Sequence, residues 1–492
     1  MGIIQRQSIK NSFVNYIGVA IGAVSTIFIY PLLGAERLGI VQFFMTAVAF
    51  LVPFTAFGLP AVSVQFFSIF KNDTRKESTL LTTLMGFMGL TCIFILGLIY
   101  VFQDFFAGLF KQNAYLFSPY LNIIAVSTIL FSFSTLFYTY AANYGRIAIP
   151  SVFFNLLQKA VQPILILLFI GGFIAFNGIF YGLMLGFGIS MLGLFFYLKK
   201  ISDWSFVFDK TVFDKKLVRQ MLQFGLFCIS INLSSTMAMM LDRILIGMFI
   251  GAAPVAIFTI PNFVAEAIDV PRRAISGITA PIISEAMRLE NYEKVAEIYK
   301  KSALTQLIVG VYLLAGVWSC IDFVYQIMPN GDQFVSGKYV VLILGLVKLV
   351  DMATGVNSEI ISYSKYYMFN LYALIVLAVL NIGLNLYLIN EYQIIGAAFA
   401  TLISMVIFNS LKLIFIYKKI QIQPFQKEML YVLTFALLAW FTASVVPNTP
   451  SVYLNILMKG VIVTLIFAFL IIKFKISPDV NGLFDKLLNN YK

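Results

Sequence analysis

The chain has 492 residues and a formal net charge of +12, yet only 11% of its residues are charged and 60% are apolar. Ordinary soluble domains are about 45–50% apolar and about 25% charged, so much of this surface must face lipid rather than water. The basic residues sit between apolar runs, where orientation signals sit, and no nucleic-acid partner is expected.

A bilayer core of roughly 30 Å takes about 20 apolar residues per helix. Reading for such runs predicts an all-α polytopic membrane protein of about fourteen transmembrane helices, at 9–33, 38–70, 79–102, 117–142, 147–171, 174–198, 217–250, 255–283, 302–328, 339–363, 367–390, 393–417, 429–446 and 452–472. The first run is too long for a signal-peptide core and lacks a small-residue cleavage site, so it is expected to persist as a helix. The second and seventh runs are long enough to tilt or to extend beyond the bilayer. Residues 200–216 and 284–300 are expected to form short amphipathic surface helices.

Charge tests this partition. With the N-terminus inside, 24 of the 34 Lys and Arg residues fall in inner segments and only Arg37, Lys111 and Lys338 in outer ones. The inner set begins with Arg6 and Lys10 and ends with Lys486 and Lys492, so both termini are expected in the cytoplasm. A missed helix would invert the bias in every later connection.

The two halves resemble each other. The first helix exits as Leu33-Gly34-Ala35-Glu36-Arg37-Leu38-Gly39-Ile40 and the seventh as Ile250-Gly251-Ala252-Ala253-Pro254-Val255-Ala256-Ile257. Tyr144-Gly145-Arg146 pairs in the same spacing with Tyr363-Ser364-Lys365, and Tyr197-Leu198-Lys199-Lys200-Ile201 with Tyr417-Lys418-Lys419-Ile420. Six helices return the chain to its starting side, so the repeat is parallel. The expected organisation is two pseudo-symmetric six-helix lobes, 1–215 and 216–420, followed by a helix pair and cytoplasmic tail at 421–492. Two such lobes suggest alternating access to a site between them.

Ionisable groups within a span must face a cavity or a partner. Lys159, Arg243, Arg272 and Arg273 are the main cationic candidates, with Asp242, Glu266, Asp269, Asp351 and Glu359 as carboxylates able to couple an ion. Asp269 lies three and four residues before Arg272 and Arg273, and Lys348 three before Asp351, so internal ion pairs are the simpler reading there. Adjacent Asp242 and Arg243 point about 100° apart and each needs its own partner. Lys412 is expected to snorkel to the inner surface and Lys459 to the outer one. Pro254, Pro261, Pro271 and Pro281 punctuate the eighth run, where freed carbonyls fit a cavity wall.

The first lobe offers uncharged polar groups instead: Asn11, Asn15, Gln42, Gln65, Asn143, Asn155, Gln158 and Gln162. These suit sugar hydroxyls or hydrogen bonds between helices. Cys92, Cys228 and Cys320 all lie in apolar runs and read as small buried hydrophobes. Histidine is absent, and neither a catalytic set, a nucleotide-binding loop nor a metal spacing emerges. No resident cofactor is expected; H+ or Na+ coupling would run through the carboxylates.

Asn11-Ser12, Gly34-Ala35-Glu36-Arg37-Leu38-Gly39, Phe57-Gly58-Leu59-Pro60, Leu241-Asp242-Arg243-Ile244-Leu245-Ile246-Gly247, Ala280-Pro281-Ile282-Ile283-Ser284 and Ile395-Gly396-Ala397-Ala398-Phe399-Ala400-Thr401 together resemble the Wzx-like polysaccharide flippases. These belong to the multidrug/oligosaccharidyl-lipid/polysaccharide exporter superfamily. The resemblance implies a flippase in the bacterial cytoplasmic membrane, not an enzyme. Its cargo would be an undecaprenyl-diphosphate-linked oligosaccharide, and its partners membrane lipids, a polysaccharide polymerase and glycosyltransferases. Arg243, Arg272, Arg273 and Lys159 would then meet the diphosphate, and Asn15, Gln42, Gln65 and Gln158 the headgroup or sugar. Related flippases carry arginines in helices one and two, where this chain has Asn15, Gln42 and Gln65. A cation-coupled multidrug exporter of the same superfamily is the alternative, and a multispan glycosyltransferase or polymerase the alternative from another class.

Overall fold

The computed structural model describes residues 14–477 except 16, 72, 117 and 203. Arg6, Lys10, Asn11-Ser12, Lys486, Lys492 and the two termini lie outside the described residues. Among the described residues the chain is helical throughout, with no strand. The protein is a multi-pass membrane protein. Eleven described helices are long and apolar enough to cross a bilayer, and Ile17–Leu33 and Leu59–Phe70 are shorter apolar helices.

The chain divides into two compact units, Met1–Ala256 and Ile257–Lys492. The first holds α1 (Ile17–Leu33), α2 (Ala35–Ala56), α3 (Leu59–Phe70), α4 (Thr74–Val101), α5 (Leu121–Ala142), α6 (Ala148–Ile170), α7 (Phe176–Ile201) and α8 (Lys215–Phe249). Helix α9 (Ala252–Arg288) begins at its end. The second holds the rest of α9, then α10 (Tyr292–Ile327), α11 (Lys338–Ala353), α12 (Asn357–Ser362), α13 (Met368–Ile420), α14 (Lys427–Val445) and α15 (Val452–Lys473).

Backbone chemistry explains where the helices stop. Asp73 caps α4 by accepting from the Arg75 and Lys76 amides at 3.0 and 3.2 Å. Those two N–H bonds, that from Lys76 foremost, hold the exposed Asp73 carboxyl below the usual carboxylate range. Asn291 does the same for α10 through Lys294 N at 3.0 Å, and Ser451 for α15 through Leu454 N at 3.4 Å.

The run at 38–70 is not one helix. It breaks at Phe57 and Gly58, both left-handed with φ 47° and 69°, between Pro53 inside α2 and Pro60 in the first turn of α3. Gly58 is required twice over, because a Cβ there would also lie 2.5 Å from the Gly225 carbonyl of α8. The run at 339–363 likewise breaks between α11 and α12, where Gly355 has φ 59° and sits against Ala303. The runs at 367–390 and 393–417 share the α13 range, separated only by Gln393 at φ 52° and ψ −132°. Gly396 allows the close return there, since a Cβ would strike the Leu388 carbonyl.

The two expected surface helices are absent. Residues 204–209 are non-helical and form a strap. Trp204 Nε1 donates to Thr82 Oγ1 at 3.3 Å, Ser205 N donates to Ser78 Oγ at 3.2 Å, and Arg75 pairs with Asp209 at 3.0 Å. An aromatic that can bury outcompetes helix propensity in so short a segment. The second segment is absorbed into its neighbours: α9 runs to Arg288, Glu290 turns the chain at φ 54°, and α10 restarts at Tyr292.

In the first unit α5 packs on α2, α3 and α7, and α8 packs on α2 and α3. Its core includes Phe66, Phe67, Phe70, Leu80, Leu84, Phe137 and Tyr140. In the second unit α10, α14 and α15 pack together through Leu307, Val311, Leu314, Phe435, Ala439 and Phe467. Between helices in lipid this fit supplies dispersion contacts rather than hydrophobic transfer.

Candidate functional site

The second unit gathers charge from four helix segments. On α9, Asp269 accepts Arg272 Nε at 2.6 Å and Arg272 Nη2 at 3.2 Å, and pairs with Arg273 Nε at 3.3 Å. Helical spacing alone accounts for these contacts. Of three further contacts, two join different helices. Asp351 of α11 reaches Arg272 Nε at 3.2 Å, and Glu266 bridges Arg273 Nη2 at 3.1 Å to Lys348 Nζ at 3.3 Å. Lys348 therefore pairs across helices with Glu266, and not with Asp351 three residues along.

The cluster continues into α12 and α13. Lys412 is fully buried, although its position suggested a side chain reaching the inner surface. Its Nζ donates to Ser358 Oγ at 2.9 Å and lies 3.9 Å from the centre of the Phe408 ring. Asp351 and Glu359 act on this ammonium electrostatically, and so does Arg272. Ser358 donates to Asn357 Oδ1 at 3.3 Å, and Asn357 Nδ2 donates to Asn409 Oδ1 at 2.9 Å. Thr354 Oγ1 donates to the same Asn409 oxygen at 3.0 Å. The break between α11 and α12 is thus held by side chains of α13, which satisfy polar groups at membrane depth.

Four carboxylates (Glu266, Asp269, Asp351, Glu359) stand against four cations (Arg272, Arg273, Lys348, Lys412). The cluster is formally neutral rather than a basic wall. Its accessibility is graded: the Asp269 side chain is 6% exposed, that of Arg272 25% and that of Arg273 53%. Arg273 is therefore the most exposed cation of the cluster. The α9 backbone continues through Pro261, Pro271 and Pro281.

The other expected residues lie in the first unit. Asp242 is buried, and the half-exposed Arg243 donates from Nη2 to the Met239 carbonyl of its own helix at 3.4 Å. Lys159 is exposed and runs along α1, its Nζ 3.5 Å from where a Gly18 Cβ would be. Asn15 and Gln65 are exposed. Gln42 on α2 and Gln158 and Gln162 on α6 each bury an amide nitrogen that has no hydrogen-bond partner. Arg37 lies 5.4 Å over the Phe169 ring, which puts the start of α2 level with the end of α6. Counting about 1.5 Å per residue inward, Gln42 and Gln162 sit at depths within about 3 Å of each other. These buried donors are the uncharged polar feature of the first unit.

Lys459 does not reach an outer interface. It is buried, donates to the Ala443 carbonyl at 3.3 Å, and so completes the C-terminal end of α14. Cys92, Cys228 and Cys320 are buried and free. Among the described residues no group of three or more Cys, Asp or Glu could hold a metal ion.

Lys412 and Ser358 are the residues sequence reasoning undervalued. The available signal was Asn409 and Lys412 at helical spacing, in a chain that also places Thr354-Gly355 before Asn357-Ser358.

The fold is that of known transporters. A structure of the lipid II flippase MurJ in an inward closed conformation superposes with a TM-score of 0.77 at 16% identity, covering 95% of this chain and 100% of that one. An inward-facing multidrug resistance MATE family transporter gives 0.67 at 15% identity, covering 82% and 94%. A superfamily transporter from Pyrococcus furiosus, described as having a binding pocket of reverse polarity, gives 0.54 at 16% identity over 85% and 95%. A comparison with curated protein sequences gives no match. At these identities the likeness is one of fold, which is that of membrane transporters. Residues 5–287 match the model of the polysaccharide biosynthesis protein family, and the chain belongs to that family.

Proposed function

We propose that the protein flips undecaprenyl-diphosphate-linked oligosaccharide repeat units from the cytoplasmic to the outer leaflet of the bacterial cytoplasmic membrane by alternating access. Both termini would face the cytoplasm, as the distribution of basic residues favours. The observation that carries this reading is the partly open guanidinium pair of α9, set among carboxylates at membrane depth in a polysaccharide biosynthesis protein.

A diphosphate offers several anionic oxygens to a guanidinium fork, a stronger partner than one carboxylate. In this mechanism the cargo engages the exposed Arg273 first and then competes with Asp351 for Arg272. The carboxylate it displaces must recover a cation, H+ or Na+, and that exchange couples transport to an ion gradient. Lys412 holds the neighbouring α12 turn through Ser358 while the pairs exchange. Arg243 and Lys159 are separate candidates for phosphate contact, and the buried amides of Gln42, Gln158 and Gln162 for sugar oxygens.

The test is surface polysaccharide in cells expressing Arg243→Ala, Arg272→Ala or Arg273→Ala at normal levels. Loss of polysaccharide in the Arg272 and Arg273 variants is expected. Undiminished polysaccharide in both would overturn the assignment. The equal number of carboxylates in the cluster keeps a second reading, a cation-coupled multidrug exporter. That reading requires the purified protein to move organic cations in proteoliposomes, while the flippase reading requires movement of a labelled lipid-diphosphate oligosaccharide.

A further inference from the structure

The first half of α8 carries a feature outside the groups assigned to the cargo above. One face of this segment packs into the first unit through Leu217, Met221 and Phe224. The opposite face is a shallow, open groove lined, apart from Phe213 ahead of the helix, by α8 alone, through Lys215, Val218, Arg219, Leu222, Gln223 and Leu226. Lys215 and Arg219 are one helical turn apart at one end. Val218, Leu222 and Leu226 continue as a single apolar track, exposed by 39%, 45% and 53%. Asp214 at the cationic end is engaged elsewhere, its carboxylate accepting the Leu217 amide at the head of the helix. Phe206 and Phe208, on the strap leading into α8, are 78% and 56% exposed. Aromatic side chains in that position suit the headgroup level of a leaflet.

We propose that this groove binds one anionic phospholipid of the leaflet at its cationic end, with the phosphate at Lys215 and Arg219 and an acyl chain along Val218, Leu222 and Leu226. The orientation read from the basic residues makes that leaflet the cytoplasmic one. Length favours this occupant. The eleven helical steps from 215 to 226 extend about 16 Å, close to half of a bilayer core of roughly 30 Å. That is the reach of one acyl chain in one leaflet, whereas an undecaprenyl chain would overrun the groove several-fold. Charge favours it too, because the two cations are exposed and one helical turn apart on the same face. The proposal shares no residue with the α9 cluster and does not depend on the identity of the cargo.

The experiment is native mass spectrometry of the full-length protein in mild detergent, titrated separately with phosphatidylglycerol, phosphatidylcholine and undecaprenyl diphosphate. The expected result is one phosphatidylglycerol per chain, retained in preference to phosphatidylcholine. Lys215→Gln/Arg219→Gln should weaken that binding about twenty-five-fold, at roughly fivefold per basic residue near an anionic headgroup. Lys199→Gln/Lys200→Gln, equally basic but outside the groove, should leave it unchanged. Leu222→Ser should lower retention of both lipids, with the headgroup preference kept. Equal binding of the two phospholipids, or equal losses in the two charge variants, would overturn the proposal in favour of unspecific lipid contact. Displacement of phosphatidylglycerol by undecaprenyl diphosphate at equimolar ratio would overturn it in favour of a docking site for the carrier lipid.

Discussion

Asp269 offers the sharpest test of the charged cluster. Its side chain is 6% exposed and takes three contacts from two guanidiniums, at 2.6, 3.2 and 3.3 Å. Asp269→Asn keeps the shape and removes the charge, leaving Arg272 with Asp351 alone. Breaking a fully buried ion pair costs about 3–5 kcal/mol. Arg272 is 25% exposed and retains Asp351 at 3.2 Å, so the loss here should be about 2 kcal/mol. The double variant Asp269→Asn/Arg272→Gln restores neutrality and should recover at least half of that loss. Thermal unfolding in detergent, followed by tryptophan fluorescence, measures the order: wild type above the double variant, and the double variant above Asp269→Asn. If Asp269→Asn unfolds with the wild type, or the double variant is worse than the single by the full cost of Arg272→Gln, the cluster is not the coupled unit described. Export should fail in the double variant, because it rescues the fold without Arg272, the guanidinium for which the cargo competes with Asp351.

Other predictions follow from single sites. Lys412→Met should fold, since it fills the same space without a charge, yet abolish surface polysaccharide; normal export would remove Lys412 from the mechanism. Gly58→Ala should lower the yield of folded protein, by about 1 kcal/mol for the left-handed backbone plus the clash with the Gly225 carbonyl. Gly86→Ala, where nothing lies within 4 Å, should be neutral or slightly stabilising. Asp73→Ala should lower thermal stability at neutral pH. The folded Asp73 carboxyl titrates below its unfolded value, so its contribution is present above the unfolded pKa and disappears as pH falls through the folded one. The two proteins should therefore converge in stability under acid, and a constant gap would refute the cap.

Much of the architecture was legible because lipid imposes a simple rule on sequence: apolar runs of sufficient length, separated by cations of one side. The breaks inside runs were harder to see. Pro53 and Pro60 mark the interruption at Phe57-Gly58, but proline occurs within α9 three times without interrupting it. What distinguishes the two is the approach of α8 onto Gly58, a tertiary fact. Local spacing gave the pairs of Asp269 with Arg272 and Arg273. It misled at Lys348, because a residue three positions away competes with any carboxylate that folding brings from another helix. Lys412 was undervalued for a similar reason: a lysine near a helix end can snorkel, and only the packing of α12 against α13 places it beside Ser358. The strap at 204–209 lacks a periodic signal, and Trp204 finds its site on Thr82 only in the folded unit.

The formal neutrality of the α9–α13 cluster bears on how the membrane potential can act. A charge carried across the bilayer exchanges about 2.3 kcal/mol per 100 mV with the field. Four anions and four cations moving together exchange nothing, so the empty protein could reorient without being driven or held by voltage. In the proposed mechanism, a cargo anion or coupling cation that joins the cluster would give that movement a net charge from this site. Voltage would then read occupancy rather than conformation.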